Sequence, residues 1–424
     1  MRIGINATRR SFISILSAGV SGWLLPTRLL GKATDTAPPA HRITGFGATG
    51  NVYEELGVTP VINAQGTMTV LGGSLMRPEV EAVMQLAGRH FVPILELEAA
   101  AGKRIAQMLQ LPSDYDAIVT SGAAAAMQSG LAGILTRDNP QFIAQLPDLT
   151  GMKSEVIIQK SHRNAFDHQL RATGVTLVSI ETKDELLRAI NSRTAMMHFS
   201  NFAEAEGSIK VQEWVQIAHA HGLPAFIDAA ADTPPVSHLW DYARMGYDLI
   251  AFSGGKAIRG PQCAGLLLGR RDLVAYALMN NSPNEDTLGR SQKVGKEEIV
   301  GMIKALEVYI AEDHDGLNRE WQRRLEYISG AIIKVPGVST QFMVPDIANH
   351  VPHMNIQWDS KHIAATPAQI SAALRQGKPS IVLEPAEAGE GLSMNSFMLQ
   401  PGEEIVVAAR LAQVLRAHSA SAAA

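Results

Sequence analysis

From about residue 117 onward, short and almost wholly apolar runs alternate with stretches of helical period. The runs at 117–120, 155–159, 175–180, 195–199, 225–228, 249–252 and 264–268 predict strands buried on both faces. Helix-period stretches such as 211–221 and 239–245 lie between them. Continuous apolar strands separated by helices predict a mostly parallel sheet covered on both sides. Ligands of such sheets bind beyond the carboxyl ends of the strands. The pattern changes near Lys293. A long helical stretch follows at 296–332, as one helix or two, then strands at 353–358 and 380–383 with helices at 367–375 and 403–416. This predicts a second, smaller α+β domain, closed by a low-complexity tail at 419–424 that frays.

The beginning of the chain has a different character. Thr8-Arg9-Arg10-Ser11-Phe12-Ile13 leads into an uncharged run to Leu25, softened by Ser14, Ser17, Gly19, Ser21 and Gly22. Paired arginines before a modest apolar stretch resemble a twin-arginine export signal, and the stretch is short for a membrane span. Gly31-Lys32-Ala33 and Ala37 are candidate cleavage points. The expected organisation is a signal and cleavage region at 1–37, and a linker and N-terminal segment at 38–75. A large domain at 76–295, connecting helices at 296–332 and a small domain at 333–424 follow. The signal implies export by the twin-arginine machinery to the periplasm or beyond, without stable membrane insertion.

Composition narrows the partners. Of 424 residues, 46% are hydrophobic and 18% charged, as in a globular enzyme and unlike a disordered chain. A net charge of −4 gives no electrostatic footprint for nucleic acid. The single cysteine, Cys263, excludes an intrachain disulfide and a multi-cysteine metal site, and no metal is expected. Cys263 reads as a small buried residue at the start of a strand.

Four segments fall at the ends of different expected strands. Thr120-Ser121-Gly122-Ala123 passes from strand to an Ala-rich helix, where free N–H groups and a positive dipole end suit an anion. Asp228 closes the run 225–228, a place where an acid also serves as a helix cap. Phe252-Ser253-Gly254-Gly255-Lys256 sets a lysine among glycines just past a strand. His198-Phe199-Ser200-Asn201 brings polar side chains to a further strand end, where a core histidine and a turn asparagine are equally natural. Together they meet the needs of pyridoxal 5'-phosphate (PLP): a lysine for a Schiff base, an acid for the pyridine nitrogen, and an anion cup for the phosphate.

The chain resembles the fold-type-I, aspartate aminotransferase-like PLP enzymes, within the selenocysteine synthase-like group and its D-glucosaminate-6-phosphate ammonia-lyase branch. The resemblance rests on Val61-Ile62-Asn63-Ala64-Gln65-Gly66, on Phe252-Ser253-Gly254-Gly255-Lys256-Ala257-Ile258-Arg259-Gly260-Pro261-Gln262, and on Gly289-Arg290 with Lys293-Val294-Gly295-Lys296-Glu297-Glu298. It covers roughly residues 52–310. It implies Lys256 as the Schiff-base lysine, Asp228 as the partner of the pyridine nitrogen, and Ser121, Gly122, Ala123 and Ser253 around the phosphate. The His198–Asn201 segment is similar to that of cysteine desulfurases, which implies Asn201 at the phenolic oxygen. His162 is the candidate for stacking on the ring, in competition with His168. The resemblance further implies a homodimer or larger homo-oligomer with shared sites, Arg290 reaching the cofactor from a donated loop at 286–293.

The acidic chain and export signal depart from the tRNA-acting selenocysteine synthases. The segment Gly391-Leu392-Ser393-Met394-Asn395 lacks the arginine that many fold-type-I enzymes offer a substrate carboxylate, which leaves Arg259, Arg290 or a different way of holding the substrate. The implied activity is removal of ammonia from a small-molecule substrate, an amino acid or amino sugar acid, by α,β-elimination. An aminotransferase, a racemase, or a binding protein that kept the fold without catalysis remain alternatives. A nicotinamide-dependent dehydrogenase is disfavoured, because no Gly-x-Gly-x-x-Gly follows an early strand.

Overall fold

The computed structural model describes Gly47 and residues 50–386 and 391–419. The signal reading on residues 1–37 and the tail from 420 lie outside the described residues. The chain divides into a unit ending at Val58 and a unit Thr59–Ala424. In the first, a short helix Val52–Glu55 is capped by Asn51, which accepts from the Glu54 N–H.

In chain order the second unit begins with β1 (Val61–Asn63). The central sheet takes β2 (Tyr115–Thr120), β3 (Glu155–Gln159), β4 (Thr176–Ile180), β5 (Thr194–Ser200), β6 (Ala225–Asp228), β7 (Leu249–Ser253) and β8 (Gly265–Arg270). Their order is β2-β8-β7-β6-β5-β3-β4. β8 is antiparallel to both of its neighbours and every other pair is parallel, so all strands but β8 run the same way. The expected α/β architecture of fold type I is therefore present. Every residue of β5 and β6 is buried, as strands covered on both faces require, whereas the edge strand β4 exposes Thr176 and Ser179. Alternate residues feed opposite layers. Ile227, Ile250 and Phe252 pack with Trp214 and Tyr247 on one face, and Phe226 and Leu249 pack with Leu131 on the other.

The helical stretch after residue 295 is two helices, Lys296–Ala311 and His314–Ile332, parted where Asp313 accepts from the Gly316 N–H. Beyond them lie β9 (Val338–Met343), β10 (His353–Trp358), β11 (Ser380–Val382), β12 (Glu384–Pro385) and β13 (Leu392–Asn395). A four-stranded antiparallel sheet, β12-β13-β10-β9, packs Met354, Ile356 and Met394 against Leu411 and Leu415 of the helix Glu403–Ala417. β11 instead pairs in parallel with β1. Cys263 corrects one expectation: it is exposed, because the strand starts only at Gly265 and the cysteine sits in the preceding turn.

Candidate active site

A cavity of about 540 Å³ opens where the carboxyl ends of β2, β6 and β7 face residues of the smaller sheet. At the end of β2 the chain turns through Gly122, whose φ of +96° and ψ of 167° are open only to glycine. The helix Ala123–Thr136 then begins, and Gly122, Ala123 and Ala124 line the cavity with its first turn. Thr120 Oγ1 donates to the Gly122 carbonyl at 3.0 Å and holds the turn.

β6 ends on Asp228, 5% exposed, whose Oδ1 accepts from the Ala230 N–H at 3.1 Å. Burial pushes this carboxyl above its ordinary range, opposed by the Ala230 N–H and by Lys256. β7 ends on Ser253, and Gly254 and Gly255 carry the chain to Lys256. A Cβ at Gly255 would lie 2.2 Å from Gln262 Oε1 and 2.8 Å from its Cα, so this turn admits only glycine. Among the described residues no hydrogen bond or ion pair holds Lys256 Nζ. Burial lowers its pKa, while Asp228 and Asp232 raise it.

Lys256, Asp228, Ser253, Gly122 and Ala123 thus meet at one cavity, with Ser121 in the turn just outside its lining. His162, Asn201 and Arg290 do not reach this wall. His162 is fully buried, its Nδ1 accepting from the Ser200 N–H at 3.3 Å and its Nε2 lying 3.0 Å from Gln159 Nε2. Its ring stands edge-on to Phe199, and burial pushes its pKa down to about 4, so the ring is neutral and spent on internal contacts. His168 is exposed and also outside the lining. Phe166, Phe202, His353 and Phe397 bring rings to the cavity among the described residues. Asn201 turns its amide away and donates to Asp232 Oδ2 and Tyr242 Oη, both at 2.7 Å. Arg259 is likewise outside the lining, its Nε donating to the Leu75 carbonyl.

Several cavity residues carry no local signal in the sequence. Asp232 lies four positions past Asp228. Asn349 and His353 come from the start of β10 and the loop before it, and Asn395 from the end of β13. Asn63 folds the family-like segment into place: its Oδ1 accepts from the N–H groups of Gln65 and Gly66, each at 3.0 Å. Asn395 Nδ2 then donates to the Gln65 carbonyl at 2.8 Å, joining that segment to the small sheet. An unpaired amine, a buried acid and an open helix start on one cavity fit a cofactor that joins an aldehyde, a ring nitrogen and a phosphate.

Residues 94–281 match the model of the aminotransferase class-V family. D-glucosaminate-6-phosphate ammonia lyase of Salmonella typhimurium is 27% identical over 378 residues, which cover 86% of this chain and 98% of that protein. A solved structure of a D-glucosaminate-6-phosphate ammonia-lyase aligns with a TM-score of 0.75 at 26% identity, over 87% of this chain and 99% of that one. A 5'-C-glycyluridine monooxygenase-decarboxylase from a Streptomyces species is 28% identical over 395 residues, 90% of this chain and 96% of its own. An L-seryl-tRNA(Sec) selenium transferase of Hyphomonas neptunium is 25% identical, over 76% of this chain and 75% of its own.

Proposed function

We propose, on the premise of the aminotransferase class-V match at residues 94–281, that this protein is a PLP-dependent lyase removing ammonia from an amino acid or amino sugar acid. The observation that carries this reading is the Lys256 amine, unpaired and flanked by buried Asp228, on a cavity that the Gly122 helix start also lines. When bound, PLP draws electron density away from the substrate Cα. Asp228 would hold the proton on the pyridine nitrogen, and its burial strengthens that charge-assisted bond. Gly122, Ala123 and Ser253 would hold the phosphate. Lys256 Nζ, with a pKa lowered by burial, is the base that takes the Cα proton and then delivers a proton to the departing β-substituent.

The experiment is a screen of purified protein against D- and L-amino acids, amino sugar acids and D-glucosaminate 6-phosphate. Equal yields of ammonia and 2-oxo acid without a co-substrate are expected. Oxygen uptake with loss of carbon dioxide would favour instead the reaction class named for the Streptomyces relative. A requirement for a 2-oxo acid would identify an aminotransferase, and Cα deuterium exchange without product a racemase.

Two further readings accompany this one. The protein forms a homodimer or larger assembly in which Arg290 of a neighbouring copy completes the site. An active monomer in light scattering would refute it. It also leaves the cytosol folded and loaded, by the twin-arginine route read from Arg9-Arg10, to the periplasm or beyond. Arginine-to-lysine replacement at both positions is expected to retain active holoenzyme in the cytoplasm, and its arrival in the periplasm would refute the route.

A further inference from the structure

Asp232 is 1% exposed and lines the cavity four residues beyond Asp228. Its Oδ2 accepts from Asn201 Nδ2 at 2.7 Å and from Tyr242 Oη at 3.0 Å, and its carbonyl accepts from His238 Nδ1 at 2.7 Å. Asn201 sits in the turn Asn201–Glu206 after β5, and Tyr242 and His238 on the helix His238–Met245. Donors from two separate elements therefore converge on one carboxylate beside the Lys256 turn. A side chain serving only to brace its own loop has no need to stand on the cavity wall.

We propose that Asp232 is a positioning residue that keeps the Lys256 nitrogen protonated while it carries the cofactor and no substrate is bound, with Asn201 and Tyr242 holding its carboxylate in place. This rests on the reading of Lys256 as the PLP-bearing lysine. The charged and titratable groups around Asp232 are Asp228 at the end of β6, Lys256 after β7, and Tyr242 and His238 on their helix. With Asp228 engaged by the ring nitrogen, Asp232 is the negative charge left to face the lysine nitrogen. Burial and the Asp228 charge push Asp232 up to about 7, while Asn201, Tyr242 and Lys256 pull it down. Two buried carboxylates and one amine titrate as a unit, so a change at one is read at the others. Removing the Asp232 charge makes the lysine nitrogen lose its proton at lower pH.

The test follows the visible absorption of the holoenzyme through a pH titration, without substrate. Asp232→Asn is expected to lower the midpoint by about one pH unit or more, a tenfold change in proton affinity. Asp232→Glu is expected to restore most of the shift. Tyr242→Phe, which removes one donor and keeps the ring, is expected to lower the midpoint by less, and it carries the test if Asp232→Asn does not fold. Midpoints unmoved in these variants, with the chromophore intact, overturn this inference alone. A wild-type protein without a lysine-bound chromophore overturns it together with the PLP reading.

Discussion

Arg77 Nε donates to Glu312 Oε1 at 2.6 Å, and the same guanidinium gives Nη1 to the Ile258 carbonyl at 2.7 Å. The pair joins the start of the helix Pro78–Ala87, the end of the helix Lys296–Ala311 and the turn just past Lys256. Arg77 is 6% exposed, whereas the Glu312 side chain keeps 21% of its surface, so removal of Arg77 leaves the Ile258 carbonyl unpaired and the carboxylate partly solvated. Arg77→Met is expected to cost about 1–3 kcal/mol in denaturant unfolding, since the carboxylate left behind keeps some contact with water, and to weaken cofactor retention. Adding Glu312→Met is expected to recover part of that loss, because no unpaired charge then stays behind.

Borohydride reduction of the yellow protein is expected to fix the cofactor on Lys256 alone. Lys256→Ala should leave the fold intact and abolish the adduct. A reduced adduct mapped by mass spectrometry to any other lysine would refute the assignment.

Asp228→Asn keeps the shape of the side chain and removes its charge. The variant is expected to retain cofactor while turnover falls by about tenfold to more than a hundredfold, since charge-assisted bonds of this kind are worth about 1.5–3 kcal/mol. Turnover equal to wild type would make Asp228 a turn residue only.

Gly122→Ala tests the helix start. A Cβ there meets no atom within 4 Å, so the cost is confined to the φ of +96°. About 1–3 kcal/mol of backbone strain is expected, visible as weaker PLP affinity in equilibrium titration. Unchanged affinity would show that the turn relaxes without loss.

Glu98 offers a pH test away from the cavity. It is 2% exposed, accepts from the Val119 N–H at 3.0 Å, and burial pushes its pKa up to about 7 from 4.5. Because the folded protein binds this proton more tightly, its contribution is full below pH 4.5 and is lost as pH rises through about 7. The stability difference between wild type and Glu98→Gln should therefore shift against wild type across that window, by an amount on the order of 3 kcal/mol. A pH-independent difference would refute the assignment.

Much of this was legible in the sequence where one physical rule acted alone. β3, β6, β10 and the helix Pro367–Arg375 have the bounds that their patterns predict, because burial on both faces or a clear helical period dictates them. β9 went unseen since its residues are half-buried or exposed, which erases the apolar run. Lys256, Asp228, Gly122, Ala123 and Ser253 were readable because strand ends on one edge of a parallel sheet converge. Asn201 stands outside the lining because a polar side chain after a strand turns toward whichever buried partner claims it, here Asp232 and Tyr242. Gln65 and Asn395 meet across 330 positions, a contact that no local pattern encodes.

That last contact sets an order of events during synthesis. β6, which ends on Asp228, and β7, which leads to Lys256, leave the ribosome long before β11 reaches β1 or Asn395 reaches Gln65. Until then the cavity lacks the wall that Asn349, His353 and Asn395 supply. The cavity is thereby closed only once the C-terminal strand β13 is in place, however early the large sheet that carries its other wall has formed.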